Sequence, residues 1–351
     1  MEIGTGHVMR CLTLAERLSD QGAQVSFICR EHPGHLCALI IAKGYHVFRL
    51  PPPHKNKEIF NILSHTGWLG VSMMTDARQT KELLNGHFFD LLIVDHYGIN
   101  ANWESSLRSK AKKIMVIDDL ADRKHECNYL LDQNDLEPFS SRYHSLVPSY
   151  CKTFLGPSYA LLRSEFYKHL PENKIRSGAV KRVILFFGGI DQTNETGKAL
   201  AAFMALGRQD TQVDVVVGQN NRYKHELASM CNLHENLHFH CQVNNMAELM
   251  SRADLSIGAG GTTTWERLFL GLPSIIISIA ANQEKICEDL SKEKLIIYLG
   301  KKESVDQQLI TLQLKYLIEN DEERSEMSRL SYLLFKDAIN NQQLMLKELF
   351  S

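Results

Sequence analysis

A histidine directly follows two glycines near the start of the chain. Gly4 and Gly6 flank Thr5 and precede His7, and a helical spacing of apolar residues begins immediately after them. Glycines let a backbone approach a ligand closely, and the positive end of a helix dipole disfavours protonation of an imidazole there. His7 is therefore a candidate general base that takes a proton from water. The alternative is that His7 only packs or caps the first helical turn.

The same loop has part of the G-x-G-x-x-G turn that binds dinucleotide cofactors, but the match is incomplete. The position of the third glycine holds Met9, no strand precedes Gly4, and no acidic ribose ligand follows the next predicted strand. We therefore expect no cofactor. Gly6 and Arg10, which lie beside the histidine, are expected to contact a substrate.

Polar side chains follow two apolar runs in the first half of the chain. Asp95, His96 and Tyr97 follow one run, and Asp118 and Asp119 follow the next. Ligands of open parallel sheets bind outside the carboxyl ends of the strands. These residues are therefore candidates for lining a cleft, with a solvated strand end and a turn as the alternative at each place.

Glycines also follow an apolar run in the second half. Gly188 and Gly189 end a predicted strand, and Asn194 stands near the start of the next helix. Such a turn presents backbone N–H groups and a positive helix dipole to a phosphate. A tight turn without a ligand is the alternative.

The sequence GAGGTTTWE is the most specific local pattern in the chain. Gly260, Gly261 and Thr262 at a helix start can hold a pyrophosphate, and Glu266 in the first turns of that helix can accept both ribose hydroxyls. The pattern favours a nucleoside diphosphate bound in the second half. Asn282 follows the next strand and is a further candidate, with a helix cap as the alternative.

Alternating strand and helix patterns must position these residues. Short apolar runs alternate with helical patterns along the chain, which predicts an α/β fold with parallel strands. The alternation occurs twice, so we expect two Rossmann-like doubly wound domains facing a cleft. Their expected ranges are 1–165, with His7, and 166–351, with the nucleotide site and the closing helices. The predicted strands are Val25–Cys29, Tyr45–Leu50, Leu91–Asp95, Ile114–Asp118, Val183–Phe187, Val213–Val217, Leu237–His240, Leu255–Ile257, Ser274–Ser278 and Leu295–Leu299.

The composition excludes several functional classes. The 351 residues carry 39 Lys and Arg against 41 Asp and Glu, a net charge of −2, so the basic footprint of a nucleic-acid binder is absent. No apolar run is long enough to span a membrane, and no signal peptide is evident, which predicts a cytoplasmic protein. The 8 cysteines are dispersed and the 15 histidines form no ligand motif, so no metal is expected. We expect a monomer whose partner is a small molecule.

Six stretches together resemble a known family, the metal-independent UDP-sugar hydrolases of pseudaminic acid synthesis. They are GTGHVMRCLTLAERL, IVDHYGI, FLGPSYALLRSEF, FFGGID, GAGGTTTWERLFLGLPS and ISIAANQ, in order over most of the chain. The resemblance implies a fold similar to GT-B glycosyltransferases. It also implies hydrolysis of UDP-2,4-diacetamido-2,4,6-trideoxy-β-L-altropyranose to UDP and the free sugar, with inversion at the anomeric carbon and without metal or cofactor.

The resemblance assigns roles to residues that match the family's motifs. His7 resembles the catalytic base, Tyr97 and Asn282 match active-site residues, and Glu266 resembles the glutamate that binds ribose. The diphosphate is expected at Gly188, Gly189, Gly260, Gly261 and Thr262.

The chain departs from the family at its start. Members usually begin with a strand before the G-x-G-H loop, whereas this chain starts at Met1-Glu2-Ile3. We expect the first sheet to lack that strand, which would loosen the loop around His7 and reduce activity.

Three other functions stay open. A GT-B glycosyltransferase would transfer the sugar to an acceptor instead of water. A catalytically silent protein would bind the UDP-sugar without turnover. A hydrolysing UDP-sugar 2-epimerase would invert the sugar at C2.

Overall fold

The chain folds into two compact units. The structure is a computed structural model that describes residues 6–53, 66–137, 141–170 and 175–351. One unit comprises residues 1–161 and 338–351, and the other comprises residues 162–337. Each unit has its own parallel sheets and its own core.

The first unit contains two parallel sheets. Its strands are β1 (Ser26–Arg30), β2 (His46–Leu50), β3 (Phe89–Val94), β4 (Ala111–Ile117), β5 (Tyr129–Asp132) and β6 (Lys152–Leu155). β1 pairs with β2, and the other four strands form a sheet in the order β3-β4-β5-β6. The two sheets share no backbone pairing within the described ranges. The helices of this part are α1 (Gly6–Asp20), α2 (Cys37–Ala42), α3 (Met73–Leu83) and α4 (Ala101–Leu107).

α1 is amphipathic, and its buried face determines where its first turn lies. Leu14 and Leu18 are four residues apart and pack in one core with Met115 and Ile117 of β4. Because the apolar face is held against the sheet, the polar first turn of α1 is fixed near the carboxyl end of the strands.

The second unit contains a six-stranded sheet. Its strands are β7 (Arg182–Phe186), β8 (Gln212–Val217), β9 (Leu237–Cys241), β10 (Leu255–Ala259), β11 (Ser274–Ser278) and β12 (Ile297–Lys301). They are all parallel, in the order β12-β11-β10-β7-β8-β9. The strand order reverses between β7 and β10, and ligands of doubly wound sheets bind outside the carboxyl ends at such a point.

Helices cover the six-stranded sheet. They are α5 (Ser164–Lys168), α6 (Glu195–Met204), α7 (Lys224–Cys231), α8 (Met246–Arg252), α9 (Thr263–Phe269), α10 (Glu284–Lys292), α11 (Gln307–Glu319) and α12 (Asp321–Phe335). Alternate residues of the strands, such as Val183 and Leu185 of β7 and Ile257 of β10, are fully buried in one core with α6 and α11. Strands buried on both faces explain the nearly continuous apolar runs of the sequence.

The last helix, α13 (Ala338–Phe350), belongs to the first unit. Met345 and Leu349 pack with Leu14 of α1, and the Tyr129 hydroxyl donates a hydrogen bond of 2.8 Å to the carbonyl oxygen of Glu348. From the sequence, all closing helices are expected in the second domain, within 166–351. The structure differs because the apolar face of α13 matches the core around α1.

The α/β prediction is confirmed, and the predicted strands correspond to observed ones with ends shifted by a few residues. The short strands β5 and β6 were not predicted. The expectation about a strand before the glycine loop concerns residues 1–5, which lie outside the described residues. None of the helices in the described ranges combines the length and the apolar composition that a membrane span requires.

Candidate functional site

Five side chains of the first unit meet at the carboxyl edge of the β3–β6 sheet. His7 and Arg10 lie in the first turns of α1, Asp95 and Tyr97 follow β3, and Asp119 follows β4. β3 and β4 pair in parallel, so the residues after them share one edge. These five residues are called the His7 cluster.

The His7–Asp95 contact fixes the roles of the imidazole nitrogens. Nδ1 of His7 lies 2.5 Å from Oδ1 of Asp95. Burial raises the pKa of Asp95, but the charge of Arg10 and the hydrogen bonds that Arg10 and His7 donate outweigh burial and hold this pKa well below its usual range. An ionised carboxylate only accepts hydrogen bonds, so Nδ1 of His7 carries the hydrogen and donates it. Nε2 is then the nitrogen that can accept a proton.

Arg10 holds two carboxylates of the cluster. Its Nε and Nη2 donate to Asp95 at 2.7 and 2.6 Å, and its Nη1 donates to Asp119 at 3.0 Å. Nη2 also lies 3.2 Å from Nδ1 of His7. Since both of these atoms carry hydrogens, that approach is a contact and not a hydrogen bond. The guanidinium is 5% exposed and its hydrogen bonds hold Asp95 and Asp119, while its contact with a substrate stays a prediction.

Tyr97 packs against the imidazole. The rings of Tyr97 and His7 meet edge to face with centroids 4.6 Å apart. Burial and a hydrogen bond to Asp119 raise the pKa of Tyr97 above its usual value, so the hydroxyl keeps its proton. Gly6 is the first residue of α1 and is half-buried, whereas Gly4 lies outside the described residues.

His96, next to the cluster, has the opposite tautomer. Its Nδ1 accepts a hydrogen bond of 2.9 Å from the backbone N–H of Gly98, and burial lowers the pKa of His96 to about 3. The neutral ring therefore carries its hydrogen on Nε2. The neighbouring histidines thus offer one proton acceptor, on His7, and one fixed donor, on His96. Asp118 is fully buried and pairs with Arg123 at 2.8 Å, outside the cluster.

The glycine turn after β7 is closed by the protein's own carboxylate. Asp191 is 4% exposed and accepts hydrogen bonds of 2.9 and 2.8 Å from the N–H groups of Glu195 and Thr196. Asn194 accepts another, at 3.1 Å, from the N–H of Gly197. These groups were predicted to face a phosphate. The first turn of α6 is instead capped internally, so only the turn itself, with Gly188 and Gly189, remains a candidate.

The glycines of the loop between β10 and α9 differ in how much space a side chain would have at each position. A Cβ on Gly258 would lie 2.3 Å from the carbonyl oxygen of Phe186, and a Cβ on Gly260 would lie 2.2 Å from Sγ of Cys287. A Cβ on Gly261 would meet only Gln283, at 3.6 Å. Packing therefore accounts for Gly258 and Gly260, and Gly261 is the glycine left with room beside it.

Glu266 is held by an arginine that the sequence analysis missed. Nε and Nη2 of Arg163 donate to the two carboxylate oxygens of Glu266 at 2.7 and 3.0 Å. The carboxylate is nine-tenths buried. A carboxylate bound side-on keeps further lone pairs for other donors. The pair spans 103 residues, and its only signal in the sequence was the LLRSEF stretch.

Asn282 is exposed and lies in a short 3₁₀ turn, Ala281–Gln283, after β11. The neighbouring Gln283 closes that turn by accepting a hydrogen bond of 2.9 Å from the N–H of Ile279. Gln283 also lies beside Gly261. The turn with Asn282 therefore adjoins the β10–α9 loop, in the unit that also holds Thr262 and Glu266.

Other polar features of the described residues form no metal site. No group of three or more His, Cys, Asp or Glu side chains is placed to hold an ion in the ranges that the structure describes. A cavity of about 560 Å³ adjoins the β7–α6 turn and is lined by Ile190, Gln192, Thr193, Asn220 and Arg222. Of these five residues only Ile190 lies in one of the sequence stretches quoted above, FFGGID.

Comparisons with known sequences give a family model and several relatives. Residues 183–343 match the glycosyltransferase family 28 C-terminal domain. A UDP-2,4-diacetamido-2,4,6-trideoxy-β-L-altropyranose hydrolase of Campylobacter jejuni is 28% identical, over 86% of this chain and 93% of the relative. A Helicobacter pylori protein named as pseudaminic acid cytidylyltransferase and the same hydrolase is 26% identical, over 55% of this chain.

Two relatives are much longer than the matching region. An uncharacterized protein of Methanocaldococcus jannaschii is 25% identical over 84% of this chain, and the chain spans 57% of its length. The match spans 35% of the Helicobacter pylori protein.

Solved structures show the fold. Medicago truncatula UGT71G1, in complex with UDP-glucose, has a TM-score of 0.68 at 12% identity, over 99% of this chain and 97% of that one. Acinetobacter baumannii MurG has a TM-score of 0.59 at 14% identity, over 98% and 96%. The chain thus has the GT-B fold of two Rossmann-like domains, is similar over residues 183–343 to the glycosyltransferase family 28 C-terminal domain, and resembles the UDP-2,4-diacetamido-2,4,6-trideoxy-β-L-altropyranose hydrolases in sequence.

Proposed function

We propose that this protein is an enzyme that hydrolyses a UDP-sugar to UDP and the free sugar. The observation that carries the proposal is the His7–Asp95 hydrogen bond, which leaves Nε2 of His7 as a proton acceptor, in a chain that resembles UDP-sugar hydrolases. The proposed substrate is UDP-2,4-diacetamido-2,4,6-trideoxy-β-L-altropyranose, the compound in the names of two relatives. The product would serve pseudaminic acid synthesis.

In the proposed mechanism Nε2 of His7 takes a proton from the attacking water. Asp95 stabilises the imidazolium that forms, because its ionised carboxylate already accepts the Nδ1 hydrogen. The water attacks the anomeric carbon on the face opposite the leaving UDP, which inverts that carbon. No metal ion is assigned a role.

The second unit is proposed to bind the nucleotide. Glu266, oriented by Arg163, would accept hydrogen bonds from the ribose hydroxyls. The backbone around Gly261 and Thr262 would donate to the diphosphate, which gains negative charge as the bond to the sugar breaks. Gly188, Gly189 and Asn282 are proposed as further contacts.

A glycosyltransferase is the second candidate. Its support is the family 28 domain over residues 183–343 and the fold shared with glycosyltransferases. A transferase would need a sugar acceptor and would release little free sugar without one.

Phosphorus and proton NMR of the protein with the altrose substrate in EDTA tests the proposal. We expect UDP and the free sugar to appear together, the sugar first as the inverted anomer. His7→Ala should abolish release, and His234→Ala, which alters an exposed histidine of the second unit, should not. Product formation only after an acceptor is added would establish the transferase, and tight UDP binding without product would indicate a silent binding protein.

A further inference from the structure

Arg267 of α9 is a fully buried cation beneath the β10–α9 loop. It is 0% exposed, and its Nη2 donates hydrogen bonds of 3.0 Å to the carbonyl oxygen of Ala259 and to Oγ1 of Thr263. Side chains of a helix point back toward its N-terminus, and the guanidinium accordingly lies at the start of α9. A Cβ on Gly258 would lie 2.8 Å from Nη2, so the glycine makes room for it.

The rest of the guanidinium has no partner. Nε and Nη1 of Arg267 are buried and make no hydrogen bond. No carboxylate of the described residues forms an ion pair with this side chain. The adjacent Glu266 is bound by Arg163 instead, and the thiol of the nearby Cys287 stays neutral because burial raises its pKa to about 12.

Arg176, a half-buried arginine of the same unit, has a partner for every nitrogen of its guanidinium. All three of its nitrogens donate to carbonyl oxygens, those of Met250, Ser251, Ala253 and Leu270, near the C-terminal ends of α8 and α9. Carbonyls at helix C-termini favour a cation. Arg267 has the reverse arrangement, since it lies at a helix N-terminus with two nitrogens unpaired.

This arrangement is unfavourable in the free protein. The positive helix terminus repels a cation, and a buried charge without a partner loses its hydration without compensation. Burial lowers the pKa of Arg267 to about 10, although the charge of the adjacent Glu266 acts in the opposite direction, so the side chain is still charged at neutral pH. A negative charge bound on the loop above would relieve both costs.

We propose that Arg267 is a positioning residue whose buried charge attracts the diphosphate of the nucleotide to the Gly260–Thr263 loop. The inference rests on the proposed function and adds a residue to it. Arg267 acts through its field and through the loop groups that it holds, Ala259 and Thr263, and not by touching the ligand. The diphosphate is thereby the counter-charge that the free protein lacks.

Calorimetric titrations with UDP, uridine and pyrophosphate test this inference on the full chain and on Arg267→Met. We expect UDP and pyrophosphate to bind at least about tenfold more weakly to the variant, and uridine to bind unchanged, because only the diphosphate senses the charge. The melting temperature without ligand should stay equal or rise, since an apolar side chain replaces an unpaired buried charge. Arg267→Lys should keep most of the UDP affinity.

Arg176→Met is the matched control. It should lower the melting temperature, because several carbonyls lose their donor, and leave the affinity of the folded protein for UDP unchanged. The inference is overturned if Arg267→Met weakens uridine and UDP equally, or if it lowers the melting temperature like Arg176→Met and leaves UDP binding intact. A different outcome separates the two proposals. If Arg267→Met weakens pyrophosphate binding, but the wild-type protein binds UDP no more tightly than pyrophosphate, the proposed function fails and this inference stands.

Discussion

Nδ1 of His7 and Oδ1 of Asp95 are 2.5 Å apart, and Arg10 donates to both oxygens of that carboxylate. The carboxylate is thereby kept ionised, and an ionised carboxylate can only accept. The relationship selects the Nδ1–H tautomer of His7 and directs its basic nitrogen away from the protein's own acid.

Asp95→Asn is expected to lower kcat by roughly 10²–10⁴-fold, the range that general-base catalysis contributes. An amide can donate to Nδ1 and stabilise the wrong tautomer, so Nε2 of His7 would carry the hydrogen. Steady-state kinetics and UDP titration measure the change, and the UDP affinity should remain. Asp90→Asn, at an exposed position of β3, should leave kcat unchanged. An Asp95→Asn enzyme with normal kcat would show that the tautomer of His7 does not matter.

His96 should make the protein less stable in acid, because its partial burial favours the neutral ring in the folded state. The pKa of His96 is about 3 in the folded state and about 6.5 in an unfolded chain, so between these values the unfolded state binds more protons. The free energy of unfolding therefore rises with pH in this window and is lost as the pH falls from 6.5 toward 3.

His96→Asn should remove this contribution, because the amide oxygen can still accept from Gly98 but cannot be protonated in this range. Urea unfolding at pH 7.0, 5.5 and 4.5 measures the change. As the pH falls, the free energy of unfolding of the variant should increase relative to that of the wild type by up to about 1.4 kcal/mol per pH unit. His234→Asn, at an exposed position, should follow the wild type. Parallel curves for His96→Asn and wild type would contradict the burial argument.

The sequence predicts the strands and the start of α1 well, because these follow from local patterns of apolar residues. Val183 and Leu185 are fully buried on a strand covered by helices, and the continuous apolar run records that burial. β5 was missed because Tyr129–Asp132 is only four residues long.

The sequence predicts residues of the candidate site only where the pattern that identifies them lies within one short segment. His7 could be recognised at a helix start, but its partner Asp95 lies 88 residues away, and no spacing rule connects them. Asp191 is a second contact that the sequence does not reveal, since the turn after β7 has the composition of a phosphate loop while Asp191 caps the helix that follows it. Whether a carboxylate caps the following helix depends on a backbone turn with φ of 42° at Asp191, which composition does not specify.

Arg163 and Glu266 should act as one unit in UDP binding. We expect Arg163→Gln and Glu266→Gln each to weaken UDP binding about 10–100-fold, because each leaves the other side chain without its bidentate partner. The double variant should bind UDP only slightly more weakly than the single variant with the lower affinity. Calorimetric titration of the four proteins gives the coupling. Arg182→Gln breaks another ion pair of this unit, with Asp214 at 2.8 Å, and should not change UDP binding. Strictly additive effects would show that Arg163 does not orient Glu266.

Gly260 and Gly261 should respond differently to alanine. A methyl group on Gly260 would overlap Sγ of Cys287, so Gly260→Ala should lower the free energy of unfolding by about 1–3 kcal/mol, and Gly260→Ala with Cys287→Ala should recover most of it. A methyl group on Gly261 would have no neighbour closer than 3.6 Å. The free energy of unfolding of Gly261→Ala should therefore lie within about 0.5 kcal/mol of the wild-type value. The substitution should nevertheless weaken UDP binding, because a methyl group hinders close approach of the diphosphate to the backbone. Urea unfolding and UDP titration of the three variants and the wild type separate packing from binding. Equal affinity for UDP in Gly261→Ala and wild type would move the diphosphate away from this loop.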